Sequence, residues 1–379
     1  MSVEVERVDA EAAAATGELL SEGDRPFLLS GSVDDATRAR HWSPAALRSL
    51  VGAREVPVVG ADGGRFDYTL EGAPLHTEFR LPFDEALGLI ASARAPGPCY
   101  YLRRPELADL GLEAEAGLPR VFAHTRGPQR TLRLWVSSEG SVTPLHYDTR
   151  NNFLTQMHGR KAVTLFPSSE HARMYPLPFS GTHLLSPVDP EAVDAARFPR
   201  FPSELALRVE LLPGQTLFIP PFWWHHVRSL DFSISVNVFW RTQPRQLLVP
   251  NSTEYLRVMY ARDRLRSLFA GEGERPAPTL LLALAAQARE RGLTCAATLL
   301  CAAAVSLALD SLTTDERDAL TTEEHRRVEH CLFLGDFAAA HGKAPKSSEL
   351  EAVLAGVADF AAARHSRRTN ARGSISIQE

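Results

Sequence analysis

The stretch Val142-Thr-Pro-Leu-His146-Tyr-Asp148, answered far downstream by Phe218-Ile-Pro-Pro-Phe-Trp-Trp-His225-His226, decides the fold. On a β-strand, residues two apart share a face, so His146 and Asp148 project side by side and a histidine from a later strand completes a triangle. Two imidazoles and a carboxylate on one face of an octahedral metal leave the opposite face open. That suits non-haem iron(II), which must also bind a cosubstrate and oxygen. A His-x-Asp triplet says little alone in a chain with 13 histidines, so the flanking segments carry the reading.

Those segments read as short strands: Leu132 to Ser137, Phe153 to Met157, Lys161 to Phe166, Leu207 to Leu212, Gln215 to Pro220, Trp224 to Val227 and Phe232 to Trp240. They are rich in aromatic and β-branched residues, and turn signals separate them at Glu139-Gly140, His158-Gly159, Pro213-Gly214 and Ser229-Leu-Asp231. Short strands without long intervening helices favour a sandwich or small barrel over a parallel α/β sheet. Periodicity does not choose between His225 and His226, because adjacent strand residues face opposite ways.

Ordered pieces of this region resemble the JmjC or cupin-like branch of the iron(II)- and 2-oxoglutarate-dependent oxygenases. They are Val142 to Asp148, Asn152-Phe-Leu-Thr-Gln156, Gly159-Arg-Lys-Ala-Val-Thr-Leu-Phe-Pro167, Arg197-Phe-Pro199, Pro213-Gly-Gln-Thr-Leu-Phe-Ile-Pro220 and Ser235-Val-Asn237. Within that branch the likeness is to asparaginyl hydroxylases and their bacterial relatives, with a weaker likeness to wybutosine hydroxylases in Val236-Asn-Val-Phe-Trp240. The resemblance implies a mainly β protein with flanking helices: a double-stranded β-helix of jelly-roll or cupin type, followed by a C-terminal helical region. It makes His146, Asp148 and His226 the iron ligands, taking the second histidine of Trp-His-His and leaving His225 to packing. It assigns Lys161, Thr143 and Tyr101 to the distal carboxylate of 2-oxoglutarate, and Asn152 and Asn237 to the chelating end. Only one of Tyr100 and Tyr101 can face inward. The implied activity is a 2-oxoglutarate-dependent dioxygenase that uses iron(II) and O2 to hydroxylate a protein or peptide side chain. A small-molecule substrate and a non-oxidative metal cupin are the alternatives, and a histone demethylase is set aside because no chromatin-reading domain is evident. Where asparaginyl hydroxylases carry an Arg-Gln pair, this chain has Leu184 and Leu185, which departs from an asparagine-binding pattern. A lid from Leu177 to Pro190 is one way to close a small pocket.

With 379 residues, 44% of them hydrophobic, the chain can bury a large core. The expected organisation is an N-terminal α/β extension over 1–130, a catalytic core over 131–245, a helical region over 246–365 and a disordered tail over 366–379. In the extension, Ser43 caps a helix from Pro44 to Val51, Val56 to Val59 and Phe66 to Leu70 read as strands, and Pro57 suggests a sheet edge. Helices are expected at Thr279 to Arg291, Thr294 to Leu309, Thr322 to His341 and Ser347 to Arg364. The resemblance allows a homodimer through them. A net charge of −5 speaks against a dedicated nucleic-acid surface. Four cysteines without zinc spacing, no secretion signal and no clear membrane span suit a reduced cytoplasm.

Overall fold

Thirteen strands emerge among the residues that the computed structural model describes, which are 5–10, 24–33, 38–69, 74–102, 105–116, 131–177, 184–240, 242, 244–263 and 278–341. They are β1 Glu6–Asp9, β2 Phe27–Ser30, β3 Glu55–Ala61, β4 Thr77–Pro82, β5 Cys99–Leu102, β6 Thr131–Ser137, β7 Val142–Tyr147, β8 Asn151–His158, β9 Lys161–Phe166, β10 Leu207–Leu211, β11 Thr216–Ile219, β12 Trp224–Ser229 and β13 Ser233–Trp240. A nine-stranded sheet runs β1-β2-β11-β8-β13-β6-β5-β3-β4, and a four-stranded sheet runs β10-β9-β12-β7. From β6 to β13 successive strands alternate between the sheets except at β9 and β10, which are neighbours in the smaller one, and every pair is antiparallel except β1 with β2. This is the jelly-roll cupin fold that the family resemblance implies, and it is consistent with the sandwich or barrel read from the strand pattern.

Apolar side chains explain why the layers stay together. Leu154, Val163, Leu165, Leu211, Leu217 and Ile219 form one buried cluster with contributions from both sheets. Burying each such side chain stabilises the fold by about 1.5–3 kcal/mol. A second cluster joins Leu134, Val136, Val56 and Val58 to Leu47 and Val51 of the Pro44–Val51 helix and to Phe83, Leu87 and Ile90 of the Phe83–Ser92 helix. Ser43 caps the first of these helices by accepting a hydrogen bond from the Ala46 N–H at 3.2 Å.

The N-terminal region departs from its sequence reading in two places. Of the expected strand from Phe66 to Leu70, residues 66–69 are described and form none: Arg65 and Tyr68 make only isolated bridges, to Val142 and Pro74, and Leu70 lies outside the described residues. Pro57 is not on an edge strand either, since β3 lies between β5 and β4. It is tolerated because β5 pairs only with Val58 to Ala61, so Pro57 has a strand partner on one side alone, Arg80.

The chain divides into compact units over Met1–Gln243 and Pro244–Glu379. The second holds helices Ser252–Asp263, Pro278–Glu290, Thr294–Asp310 and Thr322–His341. Thr294–Asp310 buries apolar residues on every face, which makes it the centre of this bundle. Among the described residues no helix is long and apolar enough to cross a membrane. The expected Ser347 to Arg364 helix and the tail lie outside the described residues.

Candidate metal centre

A single irregularity in β7 builds one wall of the site. β12 lies between β7 and β9, with His225 opposite both His146 and Leu165. Thr143 pairs with Val227 and His146 with His225, so β7 has two residues, Pro144 and Leu145, where β12 has only His226. On a regular strand Thr143 and His146, three apart, would face opposite ways. The bulge puts both on the wall of one cavity. Pro144 suits the bulge because it has no N–H to leave unpaired.

His146, Asp148 and His225 meet there. Their ligand atoms lie within 4.8 Å of one another, and the His225 Nε2 is 3.7 Å from the Asp148 Oδ2. The two imidazole rings are 4.1 Å apart. Each ring is held at its other nitrogen: His146 Nδ1 lies 2.8 Å from the Pro144 carbonyl and His225 Nδ1 lies 3.0 Å from the Trp223 carbonyl. A carbonyl can only accept, so Nδ1 carries the proton in both rings. In the neutral rings this leaves the lone pair on Nε2, which is the arrangement that outer hydrogen bonds impose on metal-binding histidines. Asp148 follows the end of β7, and its backbone carbonyl is fixed by the Phe222 N–H at 2.7 Å.

His226 does not join this group, so the structure replaces it with His225. Its imidazole leaves the opposite face of β12, toward Asp189 and Glu191, at 4.0 and 3.9 Å. Alternation of side chains along the strand is the cause. The sequence did carry a sign of it, because His225 shares a face with apolar Val227 and His226 with charged Arg228. Burial pushes the His226 pKa down to about 4, and its ring nitrogens have no hydrogen-bond partner.

The cavity encloses about 600 Å³, and its wall includes every other residue singled out from the sequence: Tyr101, Thr143, Asn152, Lys161 and Asn237. Tyr101 faces it beside Phe66, whereas Tyr100 packs on Phe79 in the outer core. The Asn237 side-chain amide donates to the Asn152 carbonyl oxygen at 2.8 Å, joining β13 to β8. Lys161, at the start of β9, is 5% exposed and donates to the Ser235 hydroxyl at 2.6 Å. Desolvation lowers its pKa to about 7. Ser235 belongs to the Ser235-Val-Asn237 motif, but its role as the lysine's partner carries no sequence signal, because it depends on the cross-sheet neighbour.

This donor set fits a divalent metal with open positions: two oriented imidazole nitrogens and a carboxylate in one pocket. The same pocket fits an anion, since Lys161 is buried with a neutral hydroxyl partner, a state that an incoming carboxylate would relieve. At the other end Leu184 and Leu185 line the wall, with Arg133, Arg150 and Phe239. Leu185 bridges to His146, and the Tyr147 N–H donates to the Leu184 carbonyl at 2.9 Å. Part of the supposed lid from Leu177 to Pro190, residues 178–183, lies outside the described residues.

Comparison with known proteins agrees with this geometry. A model described as "cupin-like domain" matches residues 13–246. The chain is 30% identical over 222 residues to lysine-specific demethylase 8 of Xenopus tropicalis, covering 57% of this chain and 48% of the relative. It is 39% identical over 149 residues to lysine-specific demethylase JMJ30 of Arabidopsis thaliana, covering 38% and 34%. It is 32% identical over 227 residues to tRNA wybutosine-synthesizing protein 5 of Danio rerio, covering 55% and 66%. The chain thus spans less than two thirds of the length of each relative. Their names are those of demethylases and a tRNA-modifying protein, so the finer likeness to asparaginyl hydroxylases rests on the sequence motifs alone. Fold, site geometry and family match converge: the chain belongs to the cupin-like domain family, in its JmjC branch.

Proposed function

We propose that this chain is an iron(II)- and 2-oxoglutarate-dependent oxygenase that hydroxylates a side chain of a protein or peptide. The observation that carries the reading is one cavity holding both the His146, Asp148 and His225 cluster and a buried lysine without a carboxylate partner. A generic metal cupin has no use for that lysine.

The chemistry that iron(II) supplies when bound is oxidative decarboxylation of 2-oxoglutarate to succinate and carbon dioxide, coupled to insertion of oxygen into a C–H bond. The chain's own part is binding, orientation and exclusion of water. His146, Asp148 and His225 would hold the metal. Lys161 would receive the distal carboxylate, with Thr143 and Tyr101 beside it on the wall. Asn152 and Asn237 would flank the end nearer the metal. Leu154, Ile219 and Val227 give the pocket apolar walls that strengthen the lysine–carboxylate attraction. No side chain need act as a general base.

The names of two relatives favour a second reading, in which the oxidised carbon is a lysine N-methyl group that then leaves as formaldehyde. Succinate formation by the purified chain with iron(II), 2-oxoglutarate and oxygen tests the shared chemistry, with His146→Ala and Lys161→Ala alongside. Turnover lost in both variants supports the oxygenase. If metal-loaded wild type showed neither turnover nor 2-oxoglutarate binding, the reading would fall to a non-oxidative cupin. Mass spectrometry of peptide products separates the two readings: a gain of one oxygen against the loss of a methyl carbon.

A further inference from the structure

The Asp189, Glu191 and His226 cluster lies on the face of β12 opposite the cavity and has no part in the chemistry proposed above. One ligand atom from each lies within 4.8 Å of the others. The carboxylates alone would mean little, as surface acids often gather without a ligand. The second observation is His226: its side chain is 1% exposed, faces both carboxylates, and neither ring nitrogen has a hydrogen-bond partner. Leaving two buried polar atoms unpaired is costly, and here the gap to the carboxylates is too wide for direct hydrogen bonds.

We propose that Asp189, Glu191 and His226 form a second divalent-cation site, of the zinc or nickel class, behind the strand that carries His225. One imidazole and two carboxylates suit such borderline cations. Ligands around a tetrahedral zinc stand about 3.4 Å apart, given metal–ligand distances near 2.1 Å. Asp189 Oδ1 lies 4.0 Å from Nε2 and Glu191 Oε1 lies 3.9 Å from Nδ1, so a cation held by one ring nitrogen must draw in the carboxylate beside the other, and the ligand atoms, within 4.8 Å of one another, must close by up to about 1.4 Å. The His146, Asp148 and His225 cluster of the cavity meets the same limit, its ligand atoms also lying within 4.8 Å of one another.

The surroundings orient the carboxylates. Arg65 donates to the Asp189 Oδ2 at 2.8 Å, leaving Oδ1 as the oxygen nearer His226. Arg228 grips Glu191 through its Nε, at 3.0 Å from Oε1 and 2.8 Å from Oε2, and through Nη2. Arg65 also pairs with Asp67, at 2.8 Å. The network therefore sets three carboxylates, Asp67, Asp189 and Glu191, against two guanidiniums, and the excess negative charge favours a cation. Asp189 and Glu191 are 27% and 33% exposed, which gives an entry path and room for water ligands.

The test is metal stoichiometry. The full chain is stripped with chelator, loaded with Zn2+, desalted and analysed for bound zinc, in wild type, His146→Ala, His226→Ala and the double variant. Two equivalents in wild type, one in each single variant and none in the double variant are expected. Wild type and His226→Ala binding the same amount would overturn the proposal. Because His146→Ala removes the cavity's contribution independently, failure of the oxygenase reading would not be mistaken for failure here. Should His226→Ala fail to fold, zinc anomalous scattering from wild-type crystals decides. A peak between Asp189, Glu191 and His226 supports the site, and a peak at the cavity alone overturns it.

Discussion

The imidazoles of His225 and His226 leave adjacent positions of β12 in opposite directions, one 3.7 Å from Asp148 and the other 4.0 Å from Asp189. Two neighbouring histidines therefore serve different environments. His225→Ala should weaken iron(II) binding in the cavity by about 100-fold or more, as loss of one of three ligands exceeds the roughly 10–100-fold effect of losing an outer partner. His226→Ala should leave iron(II) in the cavity. Iron titration followed through the absorption of the metal–2-oxoglutarate complex distinguishes them, and an exchange of the two outcomes would make His226 the ligand in place of His225.

The Ser235 hydroxyl accepts a hydrogen bond from Lys161 across the sheets and so favours the charged form of the lysine. A hydrogen bond of this kind contributes about 0.5–1.5 kcal/mol net. Ser235→Ala should thus raise the Kd for 2-oxoglutarate by about 3–10-fold without changing metal stoichiometry. Calorimetric titration with the metal-loaded chain checks this; an unchanged Kd would remove Ser235 from the anion site.

Lys161 makes the strongest statement about pH. Its pKa is lowered from 10.5 to about 7 in the folded chain, so between these values the unfolded state binds the extra proton. Stability from this group therefore rises as pH climbs from 7 toward 10.5, and burial of the ammonium destabilises the fold below about 7. Lys161→Met should stabilise the unliganded chain by about 1–3 kcal/mol at pH 6 while abolishing 2-oxoglutarate binding. Above pH 7 the wild type must take up a proton to bind the dianion. Calorimetry in buffers of different ionisation enthalpy should register that uptake, and urea denaturation measures the stability gain. A destabilised Lys161→Met would show that Lys161 is already compensated in the unliganded fold.

Much of this was legible in the chain because alternation with period two reports directly on which face is buried. Lys161 to Phe166 reads as a strand and is β9 over the same residues. Thr143, His146, Asn152, Lys161, His225 and Asn237 lie on such strands and Asp148 just past the end of one, and His225 is the cavity residue that the family pattern leaves to packing. The family pattern points to His226, whereas the opposite facing of adjacent strand residues puts that ring on the side of Asp189 and Glu191. Phe66 to Leu70 misleads in the opposite sense: Phe66 packs on Tyr101 and Tyr68 on His76, and residues 66–69 form no strand. Asp189 and Glu191 belong to the long connection between β9 and β10, which has no periodicity, so their meeting with His226 is a purely tertiary event.

Gly159 closes the turn between β8 and β9, two residues before Lys161, and its φ is +67°. Gln156 pins this turn by donating to the His158 and Gly159 carbonyls at 2.7 and 3.0 Å, and to the Ser233 hydroxyl at 2.8 Å. A Cβ at Gly159 would fall 2.0 Å from the Phe232 carbonyl oxygen, a backbone atom that cannot step aside alone. Gly159→Ala therefore carries two costs: about 1 kcal/mol for the left-handed backbone and about 1–3 kcal/mol for the displaced turn. Gly214 supplies the control. Its φ is +86°, but the nearest atom to its added Cβ is Val33 Cβ at 4.0 Å, so Gly214→Ala should lose only the first of these. Urea unfolding of both variants measures the difference. Equal losses would show that backbone conformation, rather than the close approach to Phe232, dictates glycine beside the lysine.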